Sequence, residues 1–300
     1  MNLGWLQDFL TVAELRNFTR AADARNASQA AFSRRIMALE AWLGVTLIDR
    51  SVFPTRLTAE GERFRDRAAE IVGQVTDARM DLSEGAPFRD RVRIALPHAL
   101  ATGRLSAWSR QWSGECGTRP SLIAGNVHDM VTALASGGVD ILICFQSPQH
   151  PLHLSADQYE RTVIGREPFR PYAAPGLLET RGLTWPGSAR RPVPLLSYAQ
   201  GAYLGRMVDQ LLEAAPVRLH GVKVAESDMA DVLRALALGG QGVAWLPDCS
   251  AAQAPPGALE AIEGPAWSLT MSLVAYRDRS LRRVAVDRLW EHLRETSTAS

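Results

Sequence analysis

Hydrophobic residues between positions 26 and 44 recur at helical spacing. Phe32, Ile36, Leu39 and Leu43 are separated by four, three and four residues, which places them on one stripe of an α-helix. An ordinary surface helix carries long charged side chains on the opposite face. Here that face is short and able to hydrogen-bond, and it consists of Ala30, Ser33, Arg34 and Met37.

The flanking segments predict a small helical unit around this helix. A first helix, ending near residue 16 or 17, is indicated by a stripe made of Trp5, Phe9, Val12 and Ala13. Thr19 is the predicted N-cap of a short second helix that Asn26 closes, and Ser28 caps the third helix, which Gly44 ends. Two short strands, VTLID and TRL, then flank a turn at SVFP. Residues 1–57 are therefore predicted to form an all-α winged helix-turn-helix.

A long helix is predicted to follow, because Thr58 is an N-cap and apolar residues continue at heptad spacing. This narrow seam favours packing against another helix, so we predict that it is a dimerisation helix. The alternative is a helix that packs only within its own chain. The segment EGAP ends the helix, so the linker unit spans 58–88. The seam consists of Phe64, Ala68, Ile71, Val75, Ala78 and Leu82.

From residue 89 to residue 300, strands alternate with helices, which is typical of mostly parallel sheets covered on both faces. Two such runs predict an α/β domain of two lobes joined by two crossings. Lobe I takes residues 89–161 and 268–300, and lobe II takes residues 162–267. Ser280 is the predicted cap of the last helix. A small molecule is expected in the cleft between the lobes.

Composition narrows the function. The chain has 300 residues, is 46% hydrophobic and 22% charged, and carries a net charge of +1. Apolar runs fall short of the ~20 residues that span a bilayer, and the N-terminus lacks a secretory pattern, so we expect a cytoplasmic protein with no membrane partner. Three dispersed cysteines and six histidines form no metal motif, and no nucleophile–base set or phosphate loop is present. We therefore expect no metal, no cofactor and no enzymatic activity.

The N-terminal unit is predicted to bind double-stranded DNA. Short polar side chains let a helix approach base edges in the major groove, where Gln29 and Arg34 are expected to read bases. Arg35 is expected to contact the DNA backbone, and residues 1–57 carry seven arginines against five acidic residues. The predicted DNA-contacting residues are Ser28, Gln29, Ala30, Ser33, Arg34, Arg35, Arg50, Thr55 and Arg56.

This N-terminal stretch resembles the signature of LysR-type transcriptional regulators. The elements AA, SQxAxSRxIxxLE, LGVxL and LTxxG stand at 21–22, 28–40, 43–47 and 57–61. Two positions depart from the pattern, Ala30 in place of proline and Ile48 in place of phenylalanine. The resemblance implies an effector domain like a periplasmic binding protein, a homodimer that assembles into a homotetramer, and an effect on RNA polymerase. A solute-binding protein remains the alternative class.

The resemblance also implies where an effector would bind. It places the ligand at the loop after the first effector strand and at facing loops of the second lobe. Stretches such as ESDMADVL are similar to a branch of the family that has hypochlorite-responsive members. Oxidation of Met229 is therefore an alternative to ligand binding as the signal. Leu204, however, stands where that branch carries a methionine. The implied effector residues are His98, Ala99, Leu100, Thr102, Val127, His128, Gln146, Ser197, Tyr198, Tyr203, Ser227 and Met229.

Overall fold

The computed structural model describes residues 2–52, 54–83, 90–152 and 154–297. The N-terminal part folds as three helices, a two-stranded wing and a long fourth helix, as the sequence pattern predicts. The elements are α1 (Leu3–Leu15), α2 (Phe18–Ala24), α3 (Gln29–Leu43), β1 (Ile48–Asp49), β2 (Arg56–Leu57) and α4 (Ala59–Ser83). Strands β1 and β2 pair antiparallel.

The helix ends follow capping chemistry, with one correction. The Ser28 side chain accepts a hydrogen bond from the Ala31 amide, and Gly44 ends α3 in the left-handed conformation, both as predicted. The second helix begins two residues earlier than predicted, because Asn17 and not Thr19 is the N-cap and accepts from the Arg20 amide. The amide oxygen of asparagine performs the same capping role, so the prediction of Thr19 was wrong. Asn26 makes the turn before α3 with φ of 49°.

The core of the N-terminal domain is built from the predicted stripe. Phe32, Ile36 and Leu39 are each 0% exposed and pack against Phe9 and the two small alanines of α2. Burial of such side chains contributes ~1.5–3 kcal/mol each. The hydrophobic periodicity therefore identified the inward face of α3 and left its other face for solvent or a partner.

Helix α4 uses part of its apolar seam inside its own chain. Ala68 is fully buried, and Phe64 and Ile71 pack on the N-terminal core, where the Phe64 ring lies 5.5 Å from that of Phe9. Val75 is 44% exposed. The seam thus divides, with its first half packed within the chain. The side chain of Leu82 and the predicted EGAP linker lie outside the described residues.

The remaining chain forms one extended sheet flanked by helices. Its strands are β3 (Arg91–Pro97), β4 (Arg119–Gly125), β5 (Ile141–Gln146), β6 (Tyr159–Ala173), β7 (Val193–Tyr198), β8 (Gly221–Ser227), β9 (Val243–Pro247), β10 (Glu260–Ala261) and β11 (Leu269–Asp278). The helices are α5 (His98–Gly103), α6 (Leu105–Glu115), α7 (Val127–Ala135), α8 (Leu177–Thr180), α9 (Tyr203–Ala214), α10 (Ala230–Leu238), α11 (Asp248–Ala251) and α12 (Val284–Ser297). A short 3-10 helix spans Pro265–Trp267.

The sheet order is β4-β3-β5-β11-β6-β9-β7-β8, with β10 on β6. The parallel strands β3, β4 and β5 make one group, and β7, β8 and β9 make the other. Strands β6 and β11 run antiparallel between the groups, so the chain returns to the first group as predicted. Among the described residues, no helix is both long and apolar enough to cross a bilayer.

Two features of this domain were not anticipated. Strand β6 has 15 residues, but Gly165, Pro168 and Pro171 interrupt its alternation, and its register shifts opposite Leu273. Ser280 does not cap the last helix, which begins at Val284; its amide and hydroxyl bond instead to Asp278. Serine satisfies a turn as readily as a helix end, so that prediction was wrong.

Candidate nucleic-acid interface and ligand cleft

The outer face of α3 is open to solvent along its first turns. Gln29, Ala30 and Arg34 are exposed, as is the capping Ser28, and Ser33 is half-buried. Met37 farther along is 45% exposed. This face therefore presents a carboxamide, hydroxyls and a guanidinium, each of which can bond to base edges or phosphates.

Arg35 faces a different direction from Arg34. Its Nε lies 2.9 Å from Oδ2 of Asp8, a carboxylate in α1 that is 0% exposed, and the Arg35 side chain is 37% exposed. Arg25 approaches the same carboxylate from the end of α2, donating to Oδ1 at 2.9 Å. The three side chains tie α1, α2 and α3 together, so Arg35 has a structural role whether or not it also reaches DNA.

The wing is fastened by Glu40 of α3. Its Oε1 accepts from the amides of Leu47 and Ile48 at 2.9 and 3.1 Å, and its Oε2 pairs with Arg50 at 2.9 Å. The Arg50 guanidinium also stacks 5.2 Å from the centre of the Phe18 ring. The Thr55 amide donates to Arg16 O at 3.2 Å. Arg56, the other predicted wing arginine, is exposed.

One bridge between the two lobes joins Thr102 and Asp231. The Thr102 hydroxyl lies 3.2 and 3.1 Å from the two carboxylate oxygens of Asp231 in the first turn of α10. Within its own lobe, Asp231 is also held by Ser250 Oγ at 3.0 Å and by Arg234 at 3.1 Å. These contacts hold the Asp231 carboxylate in a fixed position at the boundary between the lobes.

A second bridge is centred on Tyr203 at the start of α9. Its hydroxyl accepts from the Ser147 amide at 2.9 Å and donates to His150 O at 3.0 Å, both across the lobe boundary. Burial raises the pKa of Tyr203 to about 12, so the phenol stays protonated and able to donate. Both bridges therefore join residues of the two predicted lobes.

The other implied effector residues fall into three environments. Ala99, Leu100 and Tyr198 are buried in the core, and the Tyr198 hydroxyl donates to Trp245 O at 2.9 Å. Gln146 is 6% exposed and accepts from the Tyr276 hydroxyl. The half-buried set near the cleft consists of His98, Val127, Ser197, Ser227 and Met229, in which Ser227 Oγ accepts from the Met229 amide. The side chain of His128 lies outside the described residues.

The sequence analysis named Thr102 and Tyr203 but missed their partners Asp231 and Ser147, and it also missed Glu167. Asp231 is an acidic residue in a helix first turn, a position that usually needs only solvent. Glu167 is fully buried in β6, where it accepts from Arg104 Nε at 2.9 Å and from the Cys249 amide at 2.6 Å. An acidic residue between Gly165 and Pro168, in an unrecognised strand, gave no signal of such burial.

The three cysteines are free and buried. Burial raises the pKa of Cys144 to about 12 and raises that of Cys116 and Cys249 as well. A protonated buried thiol reacts slowly with oxidants. Within the described residues, no group of three or more His, Cys, Asp and Glu side chains is placed to hold a metal ion.

Two family models together match nearly the whole chain. The model described as bacterial regulatory helix-turn-helix protein, lysR family, matches residues 3–62. The model described as LysR substrate binding domain matches residues 85–298. The first match covers the helices and wing that present the outer face of α3, and the second covers both lobes.

Individual relatives agree with these models. The chain is 30% identical to the HTH-type transcriptional regulator YjiE of Escherichia coli K12, with 97% of this chain and 93% of the relative covered. Vibrio fischeri DarR, solved in complex with DNA, is 30% identical, covers 98% of both chains and has a TM-score of 0.56. Full-length HypT of Salmonella typhimurium, a hypochlorite-specific LysR-type regulator, is 28% identical, covers 100% and 99%, and has a TM-score of 0.59.

Proposed function

Because this chain belongs to the LysR family of DNA-binding transcriptional regulators, with an effector-binding domain after its helix-turn-helix, we propose that the outer face of α3 reads its operator. Gln29 and Arg34 contact base edges in the major groove, while Ser28 and Ser33 bond to phosphates or bases. Arg56 in the wing contacts phosphate or the minor groove. Acting on operator DNA, the protein works in the cytoplasm.

The one-sided exposure of α3 carries this proposal. The stripe of Phe32, Ile36 and Leu39 is 0% exposed, while Gln29 and Arg34 on the opposite face are exposed. The Asp8 pairs and the Glu40 contacts fix α3 against α1 and the wing. A helix held rigidly in this way can enter a groove without first ordering its backbone.

Replacement of Arg34 tests the proposal. We expect Arg34→Ala to weaken binding to an operator fragment by ~1–3 kcal/mol, because a guanidinium contact to a base is lost, while folding is unchanged. The fragment is obtained by crosslinking the regulator in cells and sequencing the DNA that co-purifies. Binding is then measured by gel-shift titration at fixed salt, since phosphate contacts make affinity fall with salt.

Arg294→Ala is the matched control, because that arginine is exposed in α12 at the far end of the chain. It is expected to bind the operator like the wild type. Equal affinity of Arg34→Ala and Arg294→Ala for the operator would refute the assignment of the α3 face.

We further propose that a small effector, such as a carboxylate, binds between the two lobes. The Thr102–Asp231 and Tyr203–Ser147 bridges span the lobe boundary, so a ligand between them favours one lobe arrangement over another. The shift changes the spacing of the DNA-binding domains, the bend of the DNA and the access of RNA polymerase.

Oxidation of Met229 is a second candidate signal, favoured by the similarity to HypT. Met229 is half-buried directly before α10, two residues from the bridging Asp231, so a sulfoxide there would add a polar group beside the bridge. Mass spectrometry after hypochlorite treatment tests this candidate, which requires Met229 to oxidise before the other methionines. Hypochlorite must also change operator binding in the wild type but not in Met229→Ile.

We propose that the functional unit is a homodimer, assembling into a homotetramer, that places two α3 helices on operator half-sites. Exposed apolar side chains support it: Val75 on α4, and the outermost strands of the sheet, where Ile123 of β4 and Val222 and Val224 of β8 are each 48% exposed. Outer strands with unpaired backbone and apolar side chains are favourable surfaces for a second copy.

A further inference from the structure

The N-terminal domain is packed against the effector domain of the same chain. Helix α1 contacts α7. The turn after α7 lies on α4, where a Cβ added to Gly137 would come within 3.2 Å of the nearest Val72 methyl carbon. The end of α1 and the start of α9 consequently line the same open space.

A cavity of about 1100 Å³ lies between the two domains. One wall is formed by the end of α1 and by α4; the other is formed by α7, the loop after β5 and the start of α9. Its border with the interlobe cleft is marked by Val127 and Tyr203. A cavity of this size holds a small organic molecule, since ligand pockets commonly measure ~300–1,000 Å³.

The apolar part of the lining comes from both domains. Leu15 projects from α1, Val131 from α7, and Leu152 and Leu154 from the loop after β5, all half-buried. Leu15 packs at the edge of the N-terminal core and the other three at the edge of a core in lobe I, and each also lines the open space between the domains. They suit the apolar body of a ligand.

The charged part of the lining is mainly cationic. It contains four guanidinium groups, those of Arg16, Arg20, Arg65 and Arg206, against the carboxyl groups of Glu14 and Asp228. Arg16 and Arg20 form no salt bridge with any residue that the structure describes, whereas Arg65 pairs with Glu62 at 2.8 Å. Burial raises the pKa of Glu14 to about 7, so this carboxyl group is partly protonated at neutral pH and opposes an anion less.

We propose that this interdomain cavity is a second ligand site that binds an organic anion with an apolar body. Arg16 and Arg20 of the N-terminal domain bind the anionic group, and Leu15, Val131 and Leu152 surround the body. The site adjoins the interlobe effector cleft and shares Val127 and Tyr203 with it, but its arginines come from the N-terminal domain. A ligand there joins the two domains and stabilises the docked position of the DNA-binding domain, by the general linkage between binding and conformation.

Two fluorescent probes of nearly the same shape test the proposal on the full-length protein. Anilinonaphthalene sulfonate carries an anion, and phenylnaphthylamine is its uncharged relative. We expect wild type to bind the sulfonate about tenfold more tightly than the neutral probe, because the arginines contact the anion. Arg16→Gln with Arg20→Gln should remove this about tenfold preference, and Arg16→Lys with Arg20→Lys should keep most of it.

A substitution on the opposite wall checks the location. Val131→Trp should intrude on the apolar part of the cavity and weaken saturable binding of both probes, whereas Val217→Trp, at a loop residue that is 56% exposed, should leave binding unchanged. Circular dichroism and thermal melting confirm that each variant is folded. Equal affinity of wild type for the two probes, or sulfonate binding unaffected by the glutamine pair, would overturn the proposal, as would full binding by folded Val131→Trp.

Discussion

At the scale of single residues, the carboxyl groups of Asp8 and Glu14 lie in the same helix, α1, but in different electrostatic environments. Asp8 is fully buried, but Arg25 and Arg35 both lie 2.9 Å from its oxygens, so its charge is compensated within the N-terminal domain. Glu14 lies at the interdomain cavity with only longer-range attraction from Arg16 and Arg65. Desolvation therefore outweighs that attraction and raises the pKa of Glu14 to about 7.

The raised pKa predicts a pH-dependent stability. In the unfolded chain the pKa of Glu14 returns to 4.5, so between about pH 4.5 and 7 the folded state binds more protons. The stabilisation is complete below that window and is lost as pH rises through about 7, by up to ~3 kcal/mol. Glu14→Gln should be as stable as wild type at about pH 4 and more stable at about pH 8, measured by hydrogen exchange of α1 amides at each pH. Exposed Glu263→Gln should show no such change, and a Glu14→Gln effect equal at both pH values would contradict the prediction.

At the scale of elements, the junction of the wing and α4 depends on a glycine. Thr58 caps α4 and also bonds to Thr46 O at 2.7 Å, which brings the first turn of α4 against the segment before β1. A Cβ at Gly61 would lie 2.1 Å from Leu47 O, a backbone atom that cannot rotate away. Only a residue without a side chain allows this approach.

We expect Gly61→Ala to destabilise the N-terminal domain by ~1–3 kcal/mol and to loosen the wing, because the new methyl group displaces Leu47. Gly73→Ala is the matched control in the same helix: an added Cβ there meets nothing within 4 Å, and alanine should stabilise the helix by ~0.5–1 kcal/mol. Urea unfolding followed on α3 and α4 amides measures both. A Gly61→Ala protein as stable as Gly73→Ala would show that the junction is not tight.

At the scale of the whole molecule, the first half of the α4 seam packs within its own chain, so the proposed dimer must be tested in the second half. Ile71 packs on the N-terminal core, so a charge there would disturb the subunit itself. Val75→Asp alone avoids this, and we expect it to shift the protein from dimer to monomer in light scattering, because it places a charge in an apolar helix contact. Val284→Asp, at a residue that is 73% exposed, should not. A Val75→Asp protein that remains dimeric would contradict the dimer contact through α4 and leave the outer strands of the sheet as the candidate interface.

The Tyr203 bridge leads to a prediction about the lobes. Tyr203→Phe removes the oxygen that accepts from the buried Ser147 amide, and an unpaired buried amide costs ~1–3 kcal/mol. Hydrogen exchange at residues 147–150 should therefore accelerate about tenfold or more. Tyr172→Phe is the control, since the Tyr172 hydroxyl bonds to Asp248 within lobe II. Unchanged exchange at Ser147 would show that the bridge does not hold the lobes.

The amino-acid sequence by itself determined most of the local elements and the inward side of α3. The periods of the apolar residues identified α3 and its buried stripe, and Ser28 and Gly44 marked its ends, because capping and periodicity depend on residues a few positions apart. The same local signals left β6 unrecognised, since two prolines and a glycine break its alternation while its partners β9 and β11 lie far along the chain.

Only the tertiary structure decided which groups meet across long separations. Thr102 bonds to Asp231, 129 residues away, and Ser147 to Tyr203, 56 residues away. The structure also paired Arg35 with Asp8 and packed the first half of the α4 seam inside its own chain. Periodicity shows that a face will be covered but not what covers it, because the choice of partner is made by packing over the whole fold.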